Sequence, residues 1–355
     1  MKLSQGSYKR VVIKIGSSIL YSKQGLLDEA LVNSIVAQIK ELSENNIEVV
    51  LVSSGAIALG MAALKLEARP KELSYLQAAA AIGQNELMNV YRNFFKKAGL
   101  NCGQVLLTWE DFNERSRYLN AKNTLLTLLR LGAIPVINEN DTVSTDEIKF
   151  GDNDRLSALV ASLVSADLLV ILSDVDGLWD KDKKVIKIVD KITAEIKALA
   201  CPTERKTCVG GMITKLDAAK IAIDSGIPCV IAKGSRENII LEAVKNTASA
   251  GTLFIPKDVR LAAKDRWIAF GTKSKGKIMV DEGAKRALLN KKSLLSVGVI
   301  GVEGNFECGD IISIVDSRDD EIARGKVAIS AKQLDKVKGS RLDKEVVHCD
   351  NIVLL

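Results

Sequence analysis

Short apolar runs alternate with segments of helical periodicity along the first two thirds of the chain. Four to six consecutive apolar residues predict buried strands, and apolar residues three and four positions apart predict helices. The predicted strands are 10–15, 47–52, 104–108, 134–137, 167–172 and 228–232, and we expect 228–232 to be the last strand of the sheet. The predicted helices include 28–45, 71–98, 114–131 and a segment ending at Asp224. This alternation predicts an open, mainly parallel α/β sheet sandwiched by helices.

The segment between the fourth predicted strand and the next helix is dense in carboxylates and amides. It reads N-E-N-D at 138–141 and G-D-N-D at 151–154, and apolar residues at helical spacing resume only at Leu156. Open α/β sheets bind ligands beyond the carboxyl ends of their strands. A solvated acidic loop is the alternative, but connections of this length in compact domains are usually functional. We therefore predict a ligand site here.

Glycine, serine and lysine mark three further turns. The segments are K-I-G-S-S at 14–18, S-S-G-A at 53–56 and V-G-G-M-I-T-K at 209–215. Open backbone N–H groups and a cation at the start of a helix suit a phosphate or a carboxylate. The first segment alone is equally well explained as an edge lysine before a turn, and its spacing is not that of a Walker P-loop. Together, the turns favour an anion site.

Composition narrows the class of protein. A chain of 355 residues predicts two domains, and 47% apolar with 26% charged residues is typical of soluble globular proteins. Without an apolar run of about 18 residues or a signal sequence, we expect no membrane span and a cytoplasmic location. The six cysteines form no C-x-x-C pair, and the one histidine, His348, argues against a histidine-rich metal site.

Six motifs in order resemble the amino-acid kinase family. They are K-I-G-S-S at 14, V-S-S-G-A-I-A at 52, V-I-N-E-N-D at 136, I-K-F-G-D-N-D at 148, S-D-V-D-G-L at 173 and G-G-M-I-T-K at 210. The resemblance spans roughly 10–256 and is closest to the branch that phosphorylates glutamate. Val209 departs from the family pattern, which usually has threonine there, and this bears on one hydroxyl contact to the nucleotide rather than on the family.

The resemblance implies ATP-dependent phosphorylation of the γ-carboxylate of L-glutamate, the first step of proline synthesis, with Mg²⁺ accompanying ATP. By the family's pattern, Lys14 and Lys215 flank the transferred phosphoryl group and Asp154 holds the lysines in place. The implied glutamate-binding residues are Ser54, Asp141 and Asn153. The implied nucleotide-binding residues are Lys14, Gly16, Ser173, Asp174, Gly210, Gly211, Met212, Ile213, Thr214 and Lys215, and Asp152 is the candidate metal ligand.

From Arg266 onward, the pattern changes to short strands and frequent turns. V-D-E-G-A at 280–284, S-L-L at 293–295 and G-N-F-E-C-G-D at 304–310 resemble a PUA domain, a small mixed β-barrel. We expect a kinase domain over 1–257 and a PUA-like domain over 265–355, with 252–264 as a connector. Aromatic residues for stacking bases are scarce, so a structural or regulatory appendage is favoured over RNA binding.

Two alternative functions remain open from the sequence. One is another amino-acid or UMP kinase of the same fold, which the N-E-N-D and G-D-N-D motifs oppose. The other is an RNA-binding regulatory protein on a kinase scaffold, which the intact Lys14, Lys215 and Asp154 oppose. The partners expected are glutamate and ATP, with possible feedback inhibition by proline, a homo-oligomeric state and no membrane.

Overall fold

Two compact units divide the chain in the computed structural model. The structure describes residues 8–21, 27–144, 153–200, 211–256, 263–272, 274–340 and 345–354. The first unit comprises Met1–Asp111 with Arg115–Arg260, and the second comprises Phe112–Glu114 with Leu261–Leu355. Within the second unit, the Trp267 indole N–H donates to the carbonyl of Phe112 at 2.9 Å.

The first unit is built on one mainly parallel sheet. Among the described residues its strands are β1 (Arg10–Ile15), β2 (Glu48–Ser53), β3 (Asn101–Leu107), β4 (Ala133–Glu139), β5 (Leu168–Ser173), β6 (Ile188–Val189), β7 (Cys229–Lys233) and β8 (Thr252–Phe254). Their order is β3-β4-β2-β1-β5-β7-β8-β6. Strands β8 and β6 pair in parallel with each other and run antiparallel to the other six, through the pairing of β8 with β7. The predicted α/β class and all six predicted strands are confirmed.

The start of the expected connector is instead a strand. The three residues of β8 are buried, and the Thr252 hydroxyl accepts a hydrogen bond from the Leu178 N–H at 2.8 Å. The prediction that strand 228–232 was the last of this sheet is therefore wrong. A run of three residues is too short to register as a strand from its own pattern, and its burial comes from pairing with β7 and β6.

Helices connect and cover the strands of the first unit. They are α1 (Ser17–Leu20), α2 (Glu29–Glu44), α3 (Ala56–Ala63), α4 (Leu73–Lys97), α5 (Trp109–Asn113), α6 (Arg115–Arg130), α7 (Asn153–Leu163), α8 (Ala194–Leu199), α9 (Met212–Asp224), α10 (Ile239–Lys245) and α11 (Thr247–Ala250). The last two residues of α5 belong to the second unit. Helix α7 begins three residues before the apolar run that resumes at Leu156. Asn153 and Asp154 therefore stand on the first turn of a helix rather than in a loop.

Alternation along β1 decides which face each side chain reaches. Val11, Ile13 and Ile15 belong to the apolar core that includes residues of α2 and α4. Successive side chains of a strand point to opposite faces, so Lys14 lies on the other face, the one that α7 packs against. Because both faces are covered, Lys14 is buried despite its charge, with 5% of its surface exposed.

Helices α3 and α4 touch backbone to backbone. A Cβ atom on Gly83 would lie 1.8 Å from the carbonyl oxygen of Ala56, and one on Gly60 would lie 1.7 Å from that of Ala79. No side chain larger than hydrogen fits at either contact, so the two glycines allow the close approach. The contact fixes the first turn of α3 relative to the middle of α4.

The second unit contains a smaller mixed sheet. Its described α-helices and strands are α12 (Ala263–Arg266), β9 (Gly276–Val280), α13 (Glu282–Leu289), β10 (Val299–Gly304), β11 (Ile311–Val315), β12 (Glu321–Lys326), α14 (Ala331–Val337) and β13 (Ile352–Leu354). A π-helix spans Trp267–Gly271, and short 3₁₀ helices span Ser296–Gly298 and Cys349–Asn351. The order is β10-β9-β11-β12-β13, with β9 and β11 parallel and the other pairs antiparallel. Ile278, Phe306, Ile312 and Leu334 lie in its separate core. A second, mixed β unit is therefore confirmed.

None of the helices within the described residues combines the length and the apolar character needed to cross a membrane.

Candidate active site

The candidate site lies where the strand order changes direction. Strand β1 sits between β2 and β5, with Lys14 in register with Val52 on one side and Ile171 on the other. Strands β2, β4 and β3 lie on one side of β1, and the later strands β5 and β7 lie on the other. The crevice at such a switch point, beyond the carboxyl ends of the strands, is where α/β sheets bind ligands.

A buried carboxylate joins two lysines at this point. Lys14 Nζ lies 2.5 Å from Asp154 Oδ1, and Lys215 Nζ lies 3.1 Å from Asp154 Oδ2. The three side chains come from β1, α7 and α9, and Asp154 is 1% exposed. We call these three residues the lysine–aspartate cluster. It brings together the three residues predicted to be catalytic. Two ammonium groups and one carboxylate leave a net positive charge, which favours the binding of an anion.

The charges of the two lysines control the ionisation of Asp154. Burial would raise the pKa of this carboxyl, but the positive charges of Lys14 and Lys215 and their hydrogen bonds outweigh burial and hold the pKa below its ordinary value. Asp154 is therefore a carboxylate at neutral pH. It can hold the lysines in place but has no proton to donate.

The start of α9 delivers Lys215 to the cluster. Gly211, immediately before the helix, has φ of 99° and ψ of −142°, a conformation that residues with a side chain rarely adopt. Thr214 Oγ1 lies 3.1 Å from Asp154 Oδ2 and 3.0 Å from the carbonyl oxygen of Gly211. Thr214 was expected at the nucleotide, and in this structure its hydroxyl reaches Asp154. Met212 and Ile213 form the start of the same helix, and Gly210 lies outside the described residues.

Buried amides form the neighbouring part of the site. Asn153 Nδ2 lies 2.6 Å from the carbonyl oxygen of Ser53, 2.9 Å from Ser54 Oγ and 2.7 Å from Asn138 Oδ1. Asn138 stands at the carboxyl end of β4 and Ser54 follows β2, so adjacent strands supply partners for the first residue of α7. Asn138 belonged to the predicted polar segment but had not been assigned a role.

A pocket of about 90 Å³ opens beside these amides. It is lined by the three residues predicted to bind glutamate, Ser54, Asp141 and Asn153. The rest of its lining comes from the start of α3 and from four other residues: Gly55, Ala56, Ile57, Ala58, Ser17, Arg69, Asn138 and Glu139. Gly55 has φ of 105°, and a Cβ atom there would lie 2.3 Å from the Tyr21 ring. Arg69 precedes a proline in a stretch without a motif, so sequence reasoning had no signal for it.

The remaining predicted residues follow β1 and β5. The Gly16 N–H donates to the carbonyl of Leu172 at 3.3 Å, and the Ser173 carbonyl accepts from the Gly234 N–H at 2.8 Å. The Ser173 hydroxyl donates to Asp174 Oδ1 at 2.9 Å, and Asp174 is exposed. These residues are held at the carboxyl edge shared by β1, β5 and β7, and their hydrogen bonds do not include the lysine–aspartate cluster. Asp152 lies outside the described residues.

Two protein families match the sequence of this chain. Residues 9–233 match the amino acid kinase family, and residues 276–349 match the PUA domain. The chain therefore belongs to the amino acid kinase family and carries a C-terminal PUA domain.

Curated relatives that match along nearly their whole length are glutamate 5-kinases. The chain is 43% identical to glutamate 5-kinase of Thermoanaerobacter sp. (strain X514), with 98% of each chain covered. It is 45% identical to that of Caldanaerobacter subterraneus subsp. tengcongensis, again with 98% of each covered. It is 43% identical to that of Moorella thermoacetica, over 100% of this chain and 98% of the relative. The resemblance seen in the motifs is confirmed.

We predict that Asp154→Asn destabilises the chain at neutral pH. Removing the carboxylate leaves two buried lysines without their counter-charge, which costs on the order of 3–5 kcal/mol in the free energy of unfolding. Chemical denaturation of both proteins measures the difference. Asp217→Asn is the matched control, because Asp217 lies on α9 in an exposed pair with Lys197 at 3.5 Å and should change stability by less than about 0.5 kcal/mol.

The same variant has a predicted pH dependence. The pKa of Asp154 is lowered on folding, so its stabilising effect is present above the unfolded value of about 3.9 and is lost as the pH falls through the lower folded pKa. The difference in stability between wild type and variant should stay constant from about pH 7 to pH 5 and shrink only below about pH 4. A difference that vanished near pH 6 would show that Asp154 is not held as a carboxylate by the lysines.

Proposed function

We propose that this chain transfers the γ-phosphoryl group of ATP to the side-chain carboxylate of L-glutamate, the first step of proline synthesis. The observation that carries the proposal is the lysine–aspartate cluster, with the amide-lined pocket on one side and the glycine-led start of α9 on the other. The full-length similarity to glutamate 5-kinases supports the choice of substrate.

The chemistry asks for charge neutralisation rather than a general base. A glutamate carboxyl has a pKa of about 4.3 and is ionised at neutral pH. Its oxygen attacks the γ-phosphorus, the bond from that phosphorus to the β–γ bridging oxygen breaks, and ADP leaves with the electron pair. The obstacle is repulsion between two anions, which Lys14 and Lys215 offset from fixed positions because Asp154 holds both.

The pocket offers a complementary group for each end of the amino acid. Asp141 and Asn153 supply oxygens for the α-ammonium group. The first turn of α3 has backbone N–H groups without intrahelical partners, and these, with the Arg69 guanidinium, suit the α-carboxylate. The proposal places the side-chain carboxylate toward the lysine–aspartate cluster, because Asn153 of the pocket and Asp154 of the cluster are adjacent on α7.

The nucleotide occupies the opposite side in this proposal. Gly16, Ser173 and Asp174 follow β1 and β5, and the start of α9 offers the N–H groups of its first turn, including Met212 and Ile213, to the phosphates. Mg²⁺ in such enzymes is held largely by the substrate phosphates and shields their charge. Both oxygens of Asp154 contact lysines, so Asp154 does not fit as its ligand, and Asp152 stays a prediction.

The division of labour between the units is part of the proposal. Residues 1–257 carry the reaction, and 265–355 form an appendage that affects regulation or assembly. The described residues assigned to the reaction all lie in the first unit, which supports this division. Inhibition by proline, a homo-oligomeric state and a cytoplasmic location stay predictions, and RNA binding by the PUA domain stays the less favoured alternative.

The first prediction of the proposal concerns turnover. Lys14→Met and Lys215→Met should each lower kcat at saturating ATP and glutamate about 100-fold or more, because each removes a preorganised charge from the transferred group. Coupled detection of ADP release measures the rate. Lys220→Met on α9, whose side chain pairs with Asp224 at the surface, is the matched control and should keep wild-type kcat. Near-normal turnover in a lysine variant would exclude that residue from catalysis.

A second prediction concerns recognition of the amino acid. Asp141→Asn removes the negative charge that faces the α-ammonium group, and the KM for glutamate should rise about tenfold or more. The KM for ATP should change by less than about twofold, which makes it the internal control. An equal rise of both constants would show that Asp141 shapes the loop without binding the amino acid.

A third prediction concerns the two units. A chain ending at Lys257 should keep a kcat for glutamate within about threefold of the full chain, because the assigned groups all precede that point. Phe112 is buried and clusters with the second unit, so the fragment should melt at a lower temperature. Circular dichroism, ADP release, proline sensitivity and elution volume are compared with the full chain. A folded but inactive fragment would place part of the active site beyond residue 257.

A further inference from the structure

Three side-chain amides run from α4 to the substrate pocket. Gln84 Oε1 accepts from Asn138 Nδ2 at 2.7 Å, and Asn138 Oδ1 accepts from Asn153 Nδ2 at 2.7 Å. Asn138 and Asn153 are 2% and 6% exposed, while Gln84 is half-buried on α4. Buried amides leave few alternatives to these bonds, because an unsatisfied donor in the interior is costly.

Two backbone groups fix which way each asparagine amide faces. The Glu139 N–H donates to Asn138 Oδ1 at 2.9 Å, and the Ser53 carbonyl accepts from Asn153 Nδ2 at 2.6 Å. A backbone N–H cannot accept a hydrogen bond and a carbonyl cannot donate one. Rotating either side-chain amide by a half turn would therefore place donor against donor or acceptor against acceptor. Asn138 must therefore present its NH₂ group to α4, and Gln84 must present an acceptor oxygen to Asn138.

At the pocket, the last of these three amides offers an acceptor rather than a donor. Asn153 Nδ2 is committed to acceptors on Ser53, Ser54 and Asn138. Within the described part of the chain, no hydrogen-bond donor contacts Asn153 Oδ1, and Asn153 lines the pocket. The side chain thus offers a ligand an acceptor and not a donor. An ammonium group is complementary to it, whereas a carboxylate is not.

The position of Gln84 is set by the helix contact at the preceding residue. Gly83 lies against the backbone of Ala56, where any Cβ atom would be 1.8 Å from the carbonyl oxygen. Ala56 belongs to the first turn of α3, which lines the same pocket. Gln84 therefore contacts Asn138 from a helix that is held in a fixed position relative to the pocket.

We propose that Gln84 is a positioning residue for the amino-acid substrate, acting through Asn138 to hold Asn153 Oδ1 ready for the α-ammonium group. The inference rests on the proposed function, since it names the part of glutamate that Asn153 receives. Gln84 is absent from the pocket lining and acts only through the amides. It confers selectivity for a substrate that carries an ammonium group next to its carboxylate.

The test compares three variants on α4. Gln84→Met keeps the approximate length of the side chain but removes the acceptor, and Gln84→Glu keeps an acceptor oxygen. Asn85→Met is the matched control, because Asn85 is the next residue and is exposed. Gln84→Met should raise the KM for glutamate about tenfold and change kcat and the KM for ATP by less than about twofold. Gln84→Glu should restore the KM to within about threefold, and Asn85→Met should match wild type.

Glutarate, which lacks the α-ammonium group, separates positioning from general damage. Its inhibition constant against glutamate should change by less than about twofold in Gln84→Met, because the interaction that is lost is one that glutarate never makes. Equal weakening of glutarate and glutamate, or an unchanged KM for glutamate, would overturn the inference. Gln84→Ala provides the same comparison if Gln84→Met does not fold.

Activity of the wild-type chain distinguishes failure of the proposed function from failure of the inference about Gln84. A wild-type chain that does not phosphorylate glutamate would overturn the proposed function and this inference together. An active wild type with a Gln84→Met variant that keeps its preference for glutamate over glutarate would overturn the inference alone.

Discussion

The candidate active site depends on one buried carboxylate placed between two lysines. Asp154 is almost fully enclosed, and a lone charge there would be expensive to bury. Lys14 and Lys215 compensate for that cost, and the carboxylate in turn keeps two ammonium groups close together where they would otherwise repel each other. The result is a small, fixed region of positive charge. In the proposed reaction, an anionic phosphoryl group meets this positive charge already in place, which is the condition for electrostatic catalysis.

The fold supplies this arrangement through the order of its strands. Lys14 comes from the strand at the switch point, Asp154 from the helix packed on the same face, and Lys215 from a helix start led by Gly211. The groups assigned to the amino acid lie after β2 and β4 and at the start of α7, and those assigned to the nucleotide lie at the ends of β1 and β5 and at the start of α9. Asn153 and Asp154 are adjacent on α7, so one helical turn links the amide pocket to the charged cluster.

Sequence reasoning recovered the sheet because its strands are buried on both faces and read as continuous apolar runs. The cluster was implied only by the resemblance to the amino-acid kinase family, whose pattern sets Asp154 beside Lys14 and Lys215, and the structure brings the three together. Sequence reasoning missed β8, whose three residues owe their burial to neighbouring strands, and it placed the start of α7 too late, because Asn153 and Asp154 are polar. The link from Gln84 to Asn138 joins residues 54 positions apart, and neither residue type signals such a pairing locally.

The most direct test of the account is a crystal structure of the wild-type chain with glutamate and a non-hydrolysable ATP analogue. The account predicts γ-phosphate oxygens within about 3.2 Å of both Lys14 Nζ and Lys215 Nζ. It also predicts the glutamate side-chain carboxylate on the opposite side of the phosphorus and the α-ammonium group at Asp141 and Asn153. A γ-phosphate bound away from the two lysines, with Asp154 still between them, would contradict the claim that this cluster marks the point of phosphoryl transfer.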